Sequence, residues 1–248
     1  MRSARFLTLA LAMLLAMPAL AQQITVSAAA SLTDAFRELG PAFEAARPGV
    51  SVRFNFAASG ALLQQIAQGA PVDVFVSADQ ETMDRGADRK LIDNASRRNF
   101  ATNALVVIEP ARGGPGLQSL QDLAGAKVTK LAVGKVATVP AGRYARQVLD
   151  AAGLWAQLQP RIVQADSVRQ VLDYVARGEV EAGFVYRTDA ARTAEVRVVM
   201  VPPGSVAVSY PVAVVADSRQ QAAARDFVAF LFTDAAQQTL ARHGFGRP

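Results

Sequence analysis

AAASLTDAF, residues Ala28 to Phe36, is the stretch from which the fold is read. It follows the β-type run ITVSA, and Ser31 with Asp34 forms an S-x-x-D spacing that predicts a capping box at the opening of a helix. A strand therefore delivers Ser31 to a helix N-terminus. There a hydroxyl and unpaired backbone N–H groups point the same way, with the positive end of the helix dipole behind them. A single such motif usually serves only its own helix. Its weight here comes from repetition along the chain.

Towards the N-terminus, MRSARFLTLALAMLLAMPALAQQ combines Arg2 and Arg5 with an apolar run from Phe6 to Met17, then Pro18 and the small-x-small triplet Ala19-Leu20-Ala21. This predicts a signal peptide, residues 1–21, cleaved before Gln22; the apolar run falls short of the roughly 20 residues of a spanning helix. Cysteine is absent, which excludes disulfides, thiolate catalysis, thiolate metal sites and lipid attachment through Cys. The expectation is an exported, unanchored periplasmic protein. Without Met1–Ala21, 24 Lys and Arg face 21 Asp and Glu, a net charge of about +3 that is scattered rather than gathered into the basic stripe of a nucleic-acid binder.

Towards the C-terminus the strand-to-helix turn recurs. VSVRFNF leads into AASGALLQQIAQG, where Ser59 and Gly60 stand between strand and helix. VDVFVSAD reads as a buried parallel strand, followed by a polar helix from about Gln80 to Arg89. From Asn103 the strand NALVVIEP and the loop ARGGPG mark passage into a second lobe. There KLAVG precedes a helix with Pro140 at its first turn and Ala141 behind it, and Ile162-Val163 precedes Asp166, Ser167 and a helix beginning near Val168. EAGFVY is a strand ending in Tyr186. VRVVMV and VAVSYPVAVVAD are the last strands, with Pro211 suited to an edge or a bend, and two helices close the chain.

This alternation predicts an α/β fold of two lobes, each a mixed, mostly parallel sheet covered by helices, with a ligand cleft beyond the strand carboxyl ends. The expected lobes are residues 22–102 with 212–248, and residues 103–211. Ser31, Ser59, Ala141 and Val168 each present first-turn amides with no basic residue immediately beside them, and Tyr186 adds a hydroxyl. Such a set would hold an oxyanion by neutral, preoriented dipoles, and would favour one without protons, since every donor needs an acceptor. Arg143, two places beyond Ala141, is expected on a solvated helix face and outside the site.

The segments AAASLTDAF, FAASGALLQQIAQGAPVDVFVSADQ, VPAGRYA, DSVRQVLDYVARGEVEAGFVY and YPVAVV, taken together and in this order, resemble the periplasmic molybdate-binding proteins of ABC import systems, of the type II periplasmic binding protein family. The resemblance implies a two-lobed clamshell that binds molybdate or tungstate, rejects sulfate and docks on an inner-membrane permease. It also implies that Ser31 and Ser59 bind through hydroxyl and amide, Ala141 and Val168 through amide, and Tyr186 through its phenol. Molybdenum would be held as the oxyanion and not as a free cation, with no cofactor and a monomeric chain. Gly60 stands where similar proteins carry a hydroxylated residue, which leaves no side-chain ligand at that place. Another tetrahedral anion, such as sulfate or thiosulfate, is the alternative ligand. A secreted hydrolase fits poorly, because no G-x-S-x-G occurs and the sole histidine, His243, lies near the C-terminus.

Overall fold

The computed structural model describes residues 22–248 except Val206, so the expected signal peptide lies outside the described residues. The chain first forms β1 (Gln22–Ala29), α1 (Thr33–Ala46), β2 (Val50–Ala57), α2 (Ser59–Ala67), β3 (Val74–Val76), α3 (Gln80–Asp88) and β4 (Arg98–Asn103). It continues with β5 (Leu105–Pro110), β6 (Leu131–Gly134), α4 (Pro140–Ala151), α5 (Trp155–Leu158), β7 (Ile162–Ala165), α6 (Val168–Ala176), β8 (Ala182–Tyr186), α7 (Arg187–Ala190) and β9 (Val196–Met200). The strand β10 (Val208–Val214) and the helices α8 (Gln221–Phe230) and α9 (Asp234–Arg242) end it.

Two five-stranded sheets result, ordered β2-β1-β3-β10-β4 and β7-β6-β8-β5-β9. In each, three strands run parallel, the fourth is reversed, and the fifth pairs antiparallel to that one. The reversed strands, β10 and β5, are the ones reached by crossing between sheets. The first crossing takes a single residue, Ala104, and the second takes the segment between Met200 and Val208. β10 joins the first sheet from Val208, opposite Asn103, and not from the expected Val212. Arg98–Asn103, which the sequence reading assigned to no element of its own, pairs with β10 as an edge strand.

Burial explains the pattern. Val74, Phe75 and Val76 are fully buried because β3 lies between β1 and β10 with both faces covered. Phe36, Leu39 and Phe43 recur along α1 and pack inward; Phe43 meets Phe227 of α8 edge to face at 5.2 Å between ring centres. Pro211, expected at an edge or bend, is in the interior strand β10. The ladder tolerates it because the register shifts between Tyr210 and Pro211, while the Pro211 carbonyl still accepts from Ser77 N–H. Among the described residues no helix is long and apolar enough to cross a membrane.

Candidate ligand-binding site

Five strands of the two sheets end at the boundary between them, and each hands the chain to a helical turn there. β1 leads through the short 3-10 turn Ala30–Leu32 to Ser31, β2 to Ser59, β6 to Ala141, β7 to Val168, and β8 ends on Tyr186. Ser31, Ser59, Ala141, Val168 and Tyr186 line one small cavity with Ala58 and Pro140 among its other walls, and among the described residues no charged one lines it. The cavity has room for the centre of a water-sized sphere over only about 10 Å3, so the walls are drawn close together.

The local chemistry differs from the expected capping box at Ser31. α1 begins at Thr33, its N-cap Leu32 makes no side-chain cap, and Ser31 lies in the preceding 3-10 turn. Its hydroxyl pairs with the Tyr210 hydroxyl at 3.0 Å. Asp34 is turned to the second lobe, where Arg169 Nη2 lies 2.8 Å and Arg192 Nε 2.5 Å from its carboxylate. Burial would raise the Asp34 pKa, but Arg169 and then Arg192 hold it below its usual value. Ser59 is the first residue of α2, and its Oγ accepts from Ala78 N–H at 3.0 Å.

The amides of Ser59, Ala141 and Val168 fall in first helical turns, where an N–H has no acceptor within its own helix. Ser167 caps α6 by accepting from Gln170 N–H at 3.2 Å. The start of α4 is lodged against the end of β6 by two facing glycines, since a Cβ on Gly142 would stand 2.0 Å from the Gly134 carbonyl oxygen. Tyr186 is 1% exposed, and its hydroxyl is buried without a hydrogen-bond partner among the described residues. Burial pushes its pKa well up, so the phenol keeps its proton. A buried hydroxyl left unpaired costs about 1–3 kcal/mol, which an acceptor in the cavity would recover.

Sequence reasoning misplaced Arg143. It is 8% exposed and crosses from α4 to the first lobe, where Nε (2.9 Å) and Nη2 (2.5 Å) donate to Asp79 Oδ2 and Nη2 donates to Thr82 Oγ1 at 2.6 Å. Its Nη1 reaches the Val136 carbonyl at 3.2 Å. The guanidinium is therefore committed to joining the lobes and lines no part of the cavity. Beside it Gly60 N–H donates to the Thr138 carbonyl at 2.9 Å, and a Cβ on Gly60 would lie 2.7 Å from that oxygen. Gly60 thus permits backbone from the two lobes to touch. Of these contacts, only the S-x-x-D aspartate and the unusual Gly60 left any mark in the sequence.

A larger depression of about 320 Å3 lies on the other side of Ser31, bordered by Asp34, Arg169, Arg192, Arg242 and His243. Asp189, buried beneath it, lies 2.7 Å from Arg169 Nε without hydrogen-bond geometry and accepts from Tyr186 N–H at 3.2 Å. Burial outweighs Arg169 and raises its pKa to about 6.

Comparison with known proteins agrees with this architecture. The molybdate-binding protein ModA of Escherichia coli is 38% identical over 229 residues, covering 90% of this chain and 88% of that one. The solved periplasmic molybdate-binding protein of Azotobacter vinelandii superposes with a TM-score of 0.79 at 26% identity, over 91% of this chain and 99% of that chain. The sulfate-binding protein SubI of Mycobacterium tuberculosis shares the fold, with a TM-score of 0.79 at 21% identity over 90% of this chain and 86% of that one. The two sheets with a cleft between them are those of a two-lobed periplasmic binding protein. The model of the bacterial extracellular solute-binding proteins, a family of transport binding proteins and not of enzymes, matches residues 24–246, and the chain belongs to that family.

Proposed function

We propose that this chain is the periplasmic binding component of an ABC importer, that it captures molybdate, and tungstate by the same geometry, and that it delivers the anion to an inner-membrane permease. The observation that carries the reading is the unpartnered Tyr186 hydroxyl, buried in an uncharged cavity whose other walls are helix starts. Donors fixed in advance need little reorganisation when an oxyanion arrives, and four helix-start segments supply amides oriented by the fold. The roles follow: Ser31 and Ser59 donate through hydroxyl and amide, Ala141 and Val168 through amide, and Tyr186 through its phenol. The identity to molybdate-binding relatives over nine-tenths of the chain supports the choice of anion.

The lobes that close on the ligand are residues 22–103 with 208–248, and residues 104–207, since the sheets exchange strands at Ala104 and before Val208. The protein acts as a monomer. Native mass spectrometry of the mature protein with equimolar molybdate, tungstate and sulfate tests the reading. One molybdate or tungstate per chain is expected. A complex with sulfate alone would move the assignment to sulfate or thiosulfate.

A further inference from the structure

The Ser31 hydroxyl is the end of a chain of hydrogen bonds that begins in the backbone of the first crossing between sheets. Ala104 N–H donates to Asn103 Oδ1 at 2.9 Å, and this fixes which end of the Asn103 amide is oxygen. The two hydrogens on Nδ2 are then committed, one to Thr188 Oγ1 at 2.9 Å and one to Tyr210 Oη at 3.2 Å. Tyr210 is fully buried, and burial pushes its phenol pKa up, so it keeps its proton. With a donor already aimed at its oxygen, the phenol places that proton on its remaining neighbour, Ser31 Oγ, 3.0 Å away. The opposite direction, Ser31 donating to Tyr210, would crowd two donors on one phenol oxygen and strand the phenol's own proton.

We propose that Asn103 and Tyr210 are positioning residues that lock the Ser31 hydroxyl as a donor to the cavity, and that the preference of the site for unprotonated anions depends on this relay. The inference rests on the oxyanion reading above and names the residues that set the polarity of the same site. Ser59 reaches the same polarity by a shorter route, because Ala78 N–H occupies its oxygen and leaves its hydrogen free. Both serines then behave like the helix-start amides, and with Tyr186 they face the cavity as donors. A protonated oxygen entering it meets hydrogen against hydrogen, and the loss falls on a buried, unpaired group. Of the two serines, only Ser31 owes its direction to side chains, so only there can substitution release it.

Hydrogen phosphate is the probe, since at mildly alkaline pH it and molybdate are both dianions and only one of them carries a proton. Calorimetry would compare the parent protein with Ser31→Ala, Tyr210→Phe and the double variant, using molybdate and hydrogen phosphate in turn. Tyr210→Phe keeps the ring and should weaken molybdate binding about threefold to tenfold, the worth of one neutral hydrogen bond. In the Ser31→Ala background the same change should cost less than about twofold, because the relay has nothing left to orient. Tyr210→Phe should also narrow the gap between molybdate and hydrogen phosphate, as the released Ser31 hydroxyl turns to accept.

Additive losses in the double variant overturn the relay, and so does a Tyr210→Phe protein that rejects hydrogen phosphate as fully as the parent does. Should Tyr210→Phe not fold, Asn103→Ala releases the Tyr210 hydroxyl from the other side and must give the same non-additivity with Ser31→Ala. A parent protein that binds no molybdate removes the oxyanion reading and the relay with it, whereas a parent that binds and variants that add remove the relay alone.

Discussion

Replacing Arg143 by alanine should weaken molybdate binding by about a hundredfold, although the side chain lines no part of the cavity. Its partner Asp79 is 4% exposed when the lobes meet, with Oδ2 served only by Arg143 and Oδ1 by Ser77 Oγ at 3.1 Å and Thr82 N–H at 3.2 Å. Taking one partner from a buried ion pair costs about 3–5 kcal/mol, because the other charge stays buried and uncompensated. That cost is felt when the lobes are together and is relieved when they part and water reaches Asp79. If both lobes hold the ligand, as proposed, the penalty falls on binding. Partial hydration favours its lower end, about 3 kcal/mol, or roughly a hundredfold in Kd. Isothermal calorimetry with molybdate measures it, with Arg146→Ala as control, because Arg146 is half exposed and its contacts, an ion pair with Asp150 one turn on and the Trp155 ring, stay within its own lobe. Such surface pairs contribute about 0–1 kcal/mol at most. Asp79→Ala in the Arg143→Ala background should recover part of the affinity by removing the stranded charge. Unchanged affinity in Arg143→Ala, with the whole loss appearing in unliganded stability, would refute a cross-lobe role. A double variant as weak as the single would instead mean that Arg143 attracts the anion directly.

Other perturbations probe neighbouring parts of the structure. Gly60→Ala places a methyl 2.7 Å from the Thr138 carbonyl oxygen across the cleft, and overpacking of this kind costs about 1–3 kcal/mol, so calorimetry should show molybdate bound roughly five- to a hundredfold more weakly while the unliganded melting temperature holds. Molybdate at a hundred times its Kd should add about 2.7 kcal/mol of stability, a rise of roughly 5–11 °C in a thermal melt, and equal protection by sulfate would count against the choice of anion. Burial raises the folded pKa of Asp189 to about 6, above the ordinary 3.8, so its protonated form stabilises the fold below that lower value and this contribution is lost as pH rises through 6. Denaturant unfolding should therefore show Asp189→Asn gaining stability relative to the parent between about pH 4 and pH 6; a relative loss over that window would contradict the burial of an undercompensated carboxyl. Ser31→Ala and Tyr186→Phe each remove one donor to a charged ligand, worth about 1.5–3 kcal/mol, and should weaken molybdate roughly ten- to a hundredfold in the same calorimeter.

The alternation of elements was legible because each core run is long enough to be periodic. Phe36, Leu39 and Phe43 announce one helix face, and Val74 to Val76 a strand covered on both sides. The five residues at the cavity were legible because they sit at strand ends, a position that local sequence marks through serine, proline and glycine. What joins the lobes was not. Arg143 looks like any helix-surface arginine until Asp79, far away in sequence, is brought beside it, and Tyr210 looks like a core aromatic until Asn103 and Ser31 meet its hydroxyl. The capping-box reading of Ser31 and Asp34 failed for the same reason: both side chains are claimed by partners more than a hundred residues away. Pro211, expected at an edge or a bend, stands at a register shift inside an interior strand, where the ladder is interrupted.

The central claim is that uncharged donors from both lobes hold the anion, and the anomalous signal of molybdenum in crystals grown with molybdate tests it most directly. One peak is predicted within hydrogen-bonding reach of the Ser31, Ser59 and Tyr186 hydroxyls and the Ala141 and Val168 amides, with Arg143 still paired to Asp79. A peak instead among Arg169, Arg192 and Arg242, in the open depression beyond Ser31, would show that positive charge binds the anion and would contradict the claim.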